Sequence, residues 1–106
     1  MSHSGCRSSG LITADTLVHT GRCKLISIHA TNLHANTAST IVVYDNTAAS
    51  GKVVAKLYIP PVGYDAGGAP AGGISSWEYD MHGVICEKGL YVDVTSGTPN
   101  LTIEYA

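Results

Sequence analysis

Short runs of alternating apolar and polar residues recur along the chain, separated by clusters of Gly, Pro, Asn, Asp and Ser. Between residues 23 and 31, for example, Ile26, Ile28 and Ala30 fall on one side of an extended chain and Ser27 falls on the other. A period of two residues is typical of a β-strand that is buried on one side. No segment shows the longer period of an amphipathic helix, so the pattern predicts β-strands throughout.

A β-hairpin is the most clearly predicted unit. Its first strand covers residues 39–45, in which Ile41 and Val43 share one face. The sequence DNTAASGK at residues 45–52 has the composition of a turn, so the chain is expected to fold back on itself. The returning strand has four alternating apolar residues on its predicted core face: Val53, Ala55, Leu57 and Ile59.

Further strands are predicted on both sides of this hairpin. Pro60 and Pro61 end it because neither can donate a ladder hydrogen bond, and the glycine-rich residues 62–73 predict a long loop. Other strands are predicted at residues 74–79, 84–87, 90–95 and 101–105, with two weaker ones near residues 11–14 and 16–20. About eight short antiparallel strands predict an all-β fold, a single jelly-roll-like β-sandwich. We expect this domain to cover residues 11–106, after a flexible amino-terminal arm at residues 1–10.

The composition narrows the functional classes. Charged residues make up only 13% of the 106 residues, about half of the usual share, and the net charge is −2. Nucleic-acid binding is not expected, because it requires a basic surface. The apolar runs are too short to cross a membrane, and the first residues lack the apolar core of a secretion signal. The scarcity of charge favours a surface that associates with other chains.

Cysteine and histidine could supply chemistry, but their spacing assembles no site. Cys6, Cys23 and Cys86 are an odd number without a CxxC pair, which favours reduced cysteines in a protein made in the cytosol. His82 and Cys86 would lie about 13 Å apart along a strand, too far for a catalytic pair. Zinc spacing, a serine-hydrolase elbow and a phosphate loop are all missing from the sequence. We therefore expect no catalytic residue, no metal ligand and no cofactor, and a protein that is not an enzyme.

Acidic residues offer two further candidates. Asp93 and Glu104 are predicted on neighbouring strands, as a carboxylate pair of the kind that glycosidases use, although an exposed strand face explains both more simply. Asp45 and Asn46 could bind calcium, but a role in the turn explains them better.

The aromatic residues are six tyrosines and one tryptophan, without phenylalanine. Both types combine apolar area with one polar group and are used at protein interfaces. Tyr44, Tyr58 and Tyr91 fall on the strand face opposite the predicted core. That face is either covered within the monomer or in contact with another chain, and the low charge favours the second interpretation. The candidate interface residues are Tyr44, Tyr58, Tyr64, Trp77, Tyr79 and Tyr91.

Two parts of the chain resemble small structural proteins of tailed bacteriophages. Residues 41–53, IVVYDNTAASGKV, are similar to a strand–YDN(T)xxSG–strand hairpin of those proteins. Residues 83–95, GVICEKGLYVDVT, and residues 100–105, NLTIEY, are similar to the way those proteins end. The resemblance implies a β-sandwich in the virion, made in the host cytoplasm. A capsid decoration (cement) protein fits best, as a homotrimer that bridges major capsid protein subunits. Residues 1–10 and 60–73 are then expected to contact the shell.

Two other functions stay open at this point. A tail, neck or fibre subunit of the same virion would share the fold and meet different partners. A carbohydrate-binding β-sandwich module would need two or three coplanar exposed aromatic rings, for which Trp77, Tyr79 and Tyr64 are the available set.

Overall fold

Eight β-strands make up the regular structure of the chain in a computed structural model, which describes residues 6–32, 34, 36–61 and 76–106. The described residues contain no helix. The strands are β1 (Arg7–Ser8), β2 (Thr16–Thr20), β3 (Cys23–Thr31), β4 (Ser39–Asp45), β5 (Lys52–Ile59), β6 (Ser76–Cys86), β7 (Gly89–Ser96) and β8 (Asn100–Tyr105).

The strands form two four-stranded antiparallel sheets. Sheet A has the order β1-β8-β3-β6, and sheet B has the order β2-β7-β4-β5. Strand 1 therefore pairs with 8, 2 with 7, 3 with 6 and 4 with 5, as in one long hairpin rolled into two layers. This nested pairing is the strand order of a jelly roll. The prediction of an all-β, jelly-roll-like sandwich is confirmed.

The inner faces of the two sheets supply the core. Its fully buried side chains are mainly branched aliphatic residues of β3 and β8 in sheet A and of β4 and β7 in sheet B. The members with at most 1% exposure from these strands are Leu25, Ile28, Leu101, Ile103, Ile41, Val43, Leu90 and Val92. β-Branched and leucine side chains pack well on a pleated surface that is buried on one side, so these residues hold the sheets together.

The inner face of β3 differs from the predicted one at its start. A bulge lies between Leu25 and Ser27, where the pairing register shifts on both neighbouring strands. An extra residue reverses the side on which the preceding side chains lie. Leu25 is therefore fully buried, and Ile26, which the alternation placed in the core, is only half-buried. The predicted positions of Ile28 and Ala30 are correct.

A second bulge changes which residues of β5 face the core, so the predicted core face of this strand is only partly correct. Leu57 and Ile59 are buried as predicted, at 5% and 0% exposure. The register shifts where Val43 pairs with Ala55 and the next residue of β4 pairs with Val53. Val53 consequently faces outward and is 49% exposed, so its predicted core position is wrong.

The two strands predicted at residues 74–79 and 84–87 are one continuous strand over the described residues. β6 runs from Ser76 to Cys86 and pairs with β3 on both sides of a kink. The kink lies at His82 and Gly83, whose φ angles are 55° and 78°. Positive φ angles allow the strand to bulge and then resume pairing, whereas the sequence pattern alone marks such a point as a break.

The first described residues are attached to the edge of sheet A. Arg7 and Ser8, within the predicted arm, pair with Tyr105 and Glu104 of β8. Near the predicted strand at residues 11–14, the structure has a single bridge, in which Ile12 and Leu101 exchange hydrogen bonds of 2.7 and 2.9 Å. The predicted strand at residues 16–20 is confirmed as β2. Residues 1–5 of the arm and the glycine-rich segment at 62–73 lie outside the described residues.

Candidate functional site

The outer face of sheet B has a row of apolar side chains that crosses all four of its strands. Leu17 pairs with Tyr91, Tyr91 pairs with Tyr44, and Tyr44 pairs with Val53. Residues paired in register share a face of the sheet, so these four side chains lie side by side. Leu17 and Val53 at the two ends are 45% and 49% exposed, and the two tyrosines between them are half-buried. We call these four residues the apolar row.

Two further outward residues of sheet B extend this surface. Val42 lies two residues before Tyr44 on the same face, between its partners Lys56 and Asp93, and is only 7% exposed. Tyr58 pairs with a threonine of β4 and is 63% exposed. The centre of this face is therefore apolar, and its ionic groups lie to the side of the apolar row.

The outer face of sheet A is polar by comparison. Its paired rows consist of Glu104, Ser27 and Asp80; of Thr102, His29 and Glu78; and of Asn100, Thr31 and Ser76. Ile85, at the far end of β6, is an exposed aliphatic residue of this face, with 43% exposure. Leu11, which is 69% exposed, borders this face next to His29 and Thr31. The paired rows of the two outer faces nevertheless differ in chemistry: those of sheet A are polar, whereas sheet B carries the apolar row.

The six aromatic residues predicted at an interface do not form one surface. Tyr44, Tyr58 and Tyr91 share the outer face of sheet B, as described above. Trp77 and Tyr79 pair with Ala30 and Ile28, which are core residues, so they lie on the inner side of the edge strand β6. Their rings are nearly parallel, with centroids 6.3 Å apart and an interplanar angle of 19°. Tyr64 lies outside the described residues.

Sequence reasoning missed both ends of the apolar row. The alternation in β5 placed Val53 in the core, and nothing in the sequence singled out Leu17. Their exposure could be inferred only from the bulge and from the pairing of β2 with β7, which join residues far apart in the chain.

A serine, a histidine and a glutamate meet on the outer face of sheet A. Ser27 donates a 2.5 Å hydrogen bond to Oε1 of Glu104, and His29 Nε2 lies 3.3 Å from Ser27 Oγ and 3.5 Å from the same carboxylate oxygen. The hydrogen bond from Ser27, followed by that from His29, lowers the pKa of Glu104. In a catalytic triad the acid and the serine contact opposite nitrogens of the imidazole, but here both contact Nε2. The arrangement is thus a surface hydrogen-bond network and does not have the hydrogen-bond connectivity of a catalytic triad.

Metal-ligating residue types do not cluster in groups of three or more within the described residues. His34 uses Nδ1 to accept hydrogen bonds from the backbone N–H groups of Asn36 and Thr37. Its ring therefore stabilises the loop between β3 and β4.

Asp93 and Glu104, which the sequence pattern placed on neighbouring strands, do not form a carboxylate pair. Asp93 lies on β7 in sheet B and Glu104 on β8 in sheet A, on the opposite outer face of the sandwich. The neighbour of Asp93 is instead Asp15, whose carboxylate also accepts a 2.8 Å hydrogen bond from the backbone N–H of Val94. Burial and the adjacent charge of Asp15 raise the pKa of Asp93.

Asp45 holds the turn between β6 and β7 from the end of β4. Its Oδ1 accepts hydrogen bonds from the N–H groups of Lys88 (2.8 Å) and Gly89 (3.4 Å), and Oδ2 accepts one from Glu87 (3.0 Å). These backbone hydrogen bonds lower the pKa of Asp45, which is only 6% exposed. Asp45 therefore stabilises a turn, as the sequence favoured. The turn that it stabilises is the one at residues 87–89 and not the turn that follows Asp45 in the chain. Asn46 takes part in its own turn and donates a 2.9 Å hydrogen bond to Ser50 O.

Cys6, Cys23 and Cys86 are free cysteines; Cys6 is exposed, and Cys23 and Cys86 are buried. Burial raises the pKa of both buried thiols, in the case of Cys86 to about 11. Such thiols are almost entirely protonated at neutral pH and are poor nucleophiles.

Comparison of the chain with family models, with curated proteins and with solved structures finds no match. Within the described residues there is no helix with the length and apolarity needed to span a membrane.

Proposed function

We propose that this protein is a virion structural protein, a capsid decoration (cement) subunit of a tailed phage. In this role it associates with copies of itself as a homotrimer and binds the outside of the head, where it bridges major capsid protein subunits. Two kinds of support come from the chain as a whole. Its strand order is that of a jelly roll, a fold used by viral capsid domains, and its sequence resembles small phage structural proteins.

The observation that carries the proposal is the apolar row on the outer face of sheet B. Leu17 and Val53 are about half exposed and flank two half-buried tyrosines, so a continuous apolar strip is open to contact. Exposed strips of this kind, rimmed by polar residues, mark protein contact surfaces. The outer face of sheet A differs from this strip. Its paired rows between Asn100 and Glu104 consist of polar residues.

The free energy available from this strip suits a repeated weak contact. Full burial of a Leu or Val side chain is worth about 1.5–3 kcal/mol, so burying the exposed half of each of the two contributes about 1 kcal/mol. Together they supply about 2 kcal/mol per interface, a factor of about 30 in affinity. Many such contacts around a shell add up through multivalency, so no single contact has to be tight.

Self-association is tested by replacing both ends of the apolar row. We expect the L17S/V53S double variant to associate about 30-fold more weakly than the wild-type chain in sedimentation equilibrium. The matched control is I85S, because Ile85 has a similar exposure of 43% but lies on the outer face of sheet A. Equal weakening by both variants would exclude the outer face of sheet B as the interface, and a monomeric wild-type chain would exclude a homotrimer in solution.

The capsid role is tested separately with phage heads assembled without this chain. We expect the purified wild-type protein to co-sediment with such heads at a fixed number of copies per capsid protein, and electron microscopy of the decorated heads to show it on the outer surface. Binding to tails or necks but not to heads would support the other virion role, a tail, neck or fibre subunit. Binding to neither would refute the virion function.

One observation favours a second candidate function, carbohydrate binding. Trp77 and Tyr79 present nearly parallel rings, and Trp77 also lines a shallow depression of about 320 Å³ together with His29, Thr31 and Glu78. Parallel aromatic faces next to polar side chains suit a sugar ring. Glycan-array binding by the wild-type protein that is lost in Trp77→Ala and kept in Tyr58→Ala, an exposed aromatic of the other sheet, would establish this function. The absence of glycan binding by the wild-type protein would exclude carbohydrate binding as its function.

A further inference from the structure

Two cysteines that are far apart in the sequence face each other in the fold. Cys23 is the first residue of β3, Cys86 is the last residue of β6, and the two are directly paired in the antiparallel register of sheet A. Both are core residues, with exposures of 5% and 0%, and both thiols are free. The two thiols lie close enough for each to shift the pKa of the other.

The backbone hydrogen bonding shows which kind of pair this is. Lys24, the next residue of β3, exchanges N–H···O bonds of 2.8 and 3.0 Å with Ala106 at the end of β8, on the other side of β3 from β6. Backbone groups of successive residues point to opposite sides of a strand, so those of Cys23 point towards Cys86. The two cysteines are therefore a hydrogen-bonded antiparallel pair, for which the Cα atoms lie about 5.5 Å apart. Disulfides span Cα distances of about 4.4–6.8 Å, so the backbone spacing of this pair falls within the range that a disulfide bridges.

We propose that Cys23 and Cys86 form an oxidisable dithiol, which closes to a disulfide in contact with an oxidising small-molecule disulfide such as oxidised glutathione. One cysteine thiolate attacks the glutathione disulfide and releases one glutathione thiolate. The second cysteine then attacks the mixed disulfide and releases the other. Two cysteine thiols are oxidised to one disulfide, and one oxidised glutathione is reduced to two glutathione molecules, so that atoms and electrons balance.

The environment of the pair determines when this reaction takes place. At a pKa of about 11, only about one Cys86 thiol in ten thousand is ionised at pH 7, so the closed fold reacts slowly. Both cysteines lie at strand ends, however, and strand ends open locally more readily than strand centres. The dithiol is accordingly expected to stay reduced in a cytosolic glutathione pool and to close in an oxidising environment, when the strand ends open locally.

The disulfide would join β3 to β6 at the end of sheet A where β6 turns into β7. It would close a loop that contains β4 and β5, and so connect the chain segments on either side of that hairpin. Cys6 is exposed and lies outside this pair, so it is the thiol available for unwanted cross-links. The proposal rests on the pairing of β3 with β6 and is independent of the proposed virion function.

The test uses the full chain with Cys6 replaced by serine, so that two thiols remain. The protein is unfolded in urea and then refolded in a glutathione buffer. The ratio of oxidised to reduced glutathione in this buffer is chosen so that less than a tenth of the unfolded chain is oxidised. Remaining thiols are then alkylated in denaturant. We expect most refolded molecules to carry no alkyl group, to weigh about 2 Da less than the reduced chain, and to yield one cross-linked peptide with Cys23 and Cys86. The oxidised form should also melt several degrees above the reduced form.

The controls separate the effect of the fold from chance oxidation. The same buffer in urea gives the level of pairing without the fold, and we expect folding to raise the oxidised-to-reduced ratio at least tenfold above it. C6S/C23S keeps one buried thiol and should give neither the loss of about 2 Da nor the higher melting temperature. Two alkylated thiols after refolding, an oxidised fraction equal to that in urea, or disulfides between chains would each overturn the proposal.

Discussion

Asp45 offers a sharp test of the fold, because a carboxylate at the end of β4 holds a turn in another part of the chain. Three backbone N–H groups, those of Glu87, Lys88 and Gly89, donate to its two oxygens at 2.8–3.4 Å. Asp45→Asn keeps the size and shape of the side chain but replaces one oxygen with an NH2 group. In the better orientation the amide oxygen still accepts from Lys88 and Gly89, while the NH2 group faces the N–H of Glu87.

The expected loss follows from these contacts. Leaving the Glu87 N–H unpaired beside another donor costs about 1–3 kcal/mol. The two remaining bonds lose the assistance of the negative charge; because the 3.4 Å bond from Gly89 is long and weak, the loss comes mainly from the Lys88 bond and is about 1 kcal/mol. We expect Asp45→Asn to lower the free energy of unfolding by about 2–4 kcal/mol. With a urea dependence of about 1–3 kcal/mol/M, the midpoint of unfolding should fall by roughly 0.7–4 M.

The same contact predicts a pH dependence. The pKa of Asp45 is lower in the folded state than in the unfolded chain, where it is about 3.9. Its stabilising effect is therefore present in full above the unfolded pKa and is lost as the pH falls below about 4, towards the folded pKa. The difference in stability between wild type and Asp45→Asn should be constant from pH 7 to about 5 and should shrink at lower pH.

Urea unfolding followed by Trp77 fluorescence and circular dichroism measures both effects. Asp80→Asn is the matched control, because exposed Asp80 accepts one local backbone hydrogen bond, 2.9 Å from the N–H of His82. We expect this control to lose less than about 1 kcal/mol. A loss below 0.5 kcal/mol for Asp45→Asn, or a difference from wild type that does not change between pH 7 and pH 3, would show that Asp45 does not hold the turn.

Three further predictions concern the core, the turns and the outer face of sheet B. Ile28→Ala removes a side chain with 0% exposure and should lower the free energy of unfolding by about 2–5 kcal/mol in urea titration; a loss below 1 kcal/mol would contradict its central place. Gly97→Ala should be far more damaging than Gly10→Ala in thermal unfolding. Both glycines have positive φ angles of 80° and 75°, but a Cβ at Gly97 would lie 2.5 Å from Ser39 Oγ, and one at Gly10 would have no neighbour within 4 Å. Asp93→Asn should be neutral or stabilising by up to about 0.5 kcal/mol at pH 7, since burial and a neighbouring aspartate raise the pKa of Asp93 in the folded state. That gain should disappear below pH 4, and a clear loss at pH 7 would contradict the repulsion.

The hairpin shows how far local pattern predicts this fold. The pattern predicts its strands at residues 39–45 and 53–59, and β4 and β5 occupy those positions with one added residue, Lys52. Alternation and turn composition are properties of neighbouring residues, so they can be recognised without the rest of the chain. The errors lie at bulges and kinks. At Val53, Ile26 and Gly83, a local change in backbone geometry altered the face or the continuity of a strand.

The candidate site shows which features cannot be predicted from the local sequence pattern. Three of the predicted interface tyrosines do lie on one outer face, since alternation determines which side of a strand a residue occupies. Trp77 and Tyr79 lie elsewhere, because β6 is an edge strand whose inner side is only partly covered. The two ends of the apolar row became visible only through cross-strand pairing.

The amino-acid sequence by itself determined that the chain is all-β, where most strands begin and end, and which turns separate them. These features depend on side-chain alternation and turn residues within a few positions of one another. The tertiary structure decided which distant residues contact each other. It brought Asp45 to the turn at residues 87–89, Cys23 to Cys86, and Leu17 into line with Val53. Pairings of this kind join residues that are far apart in the sequence, and they depend on how all eight strands pack together, which short-range pattern does not encode.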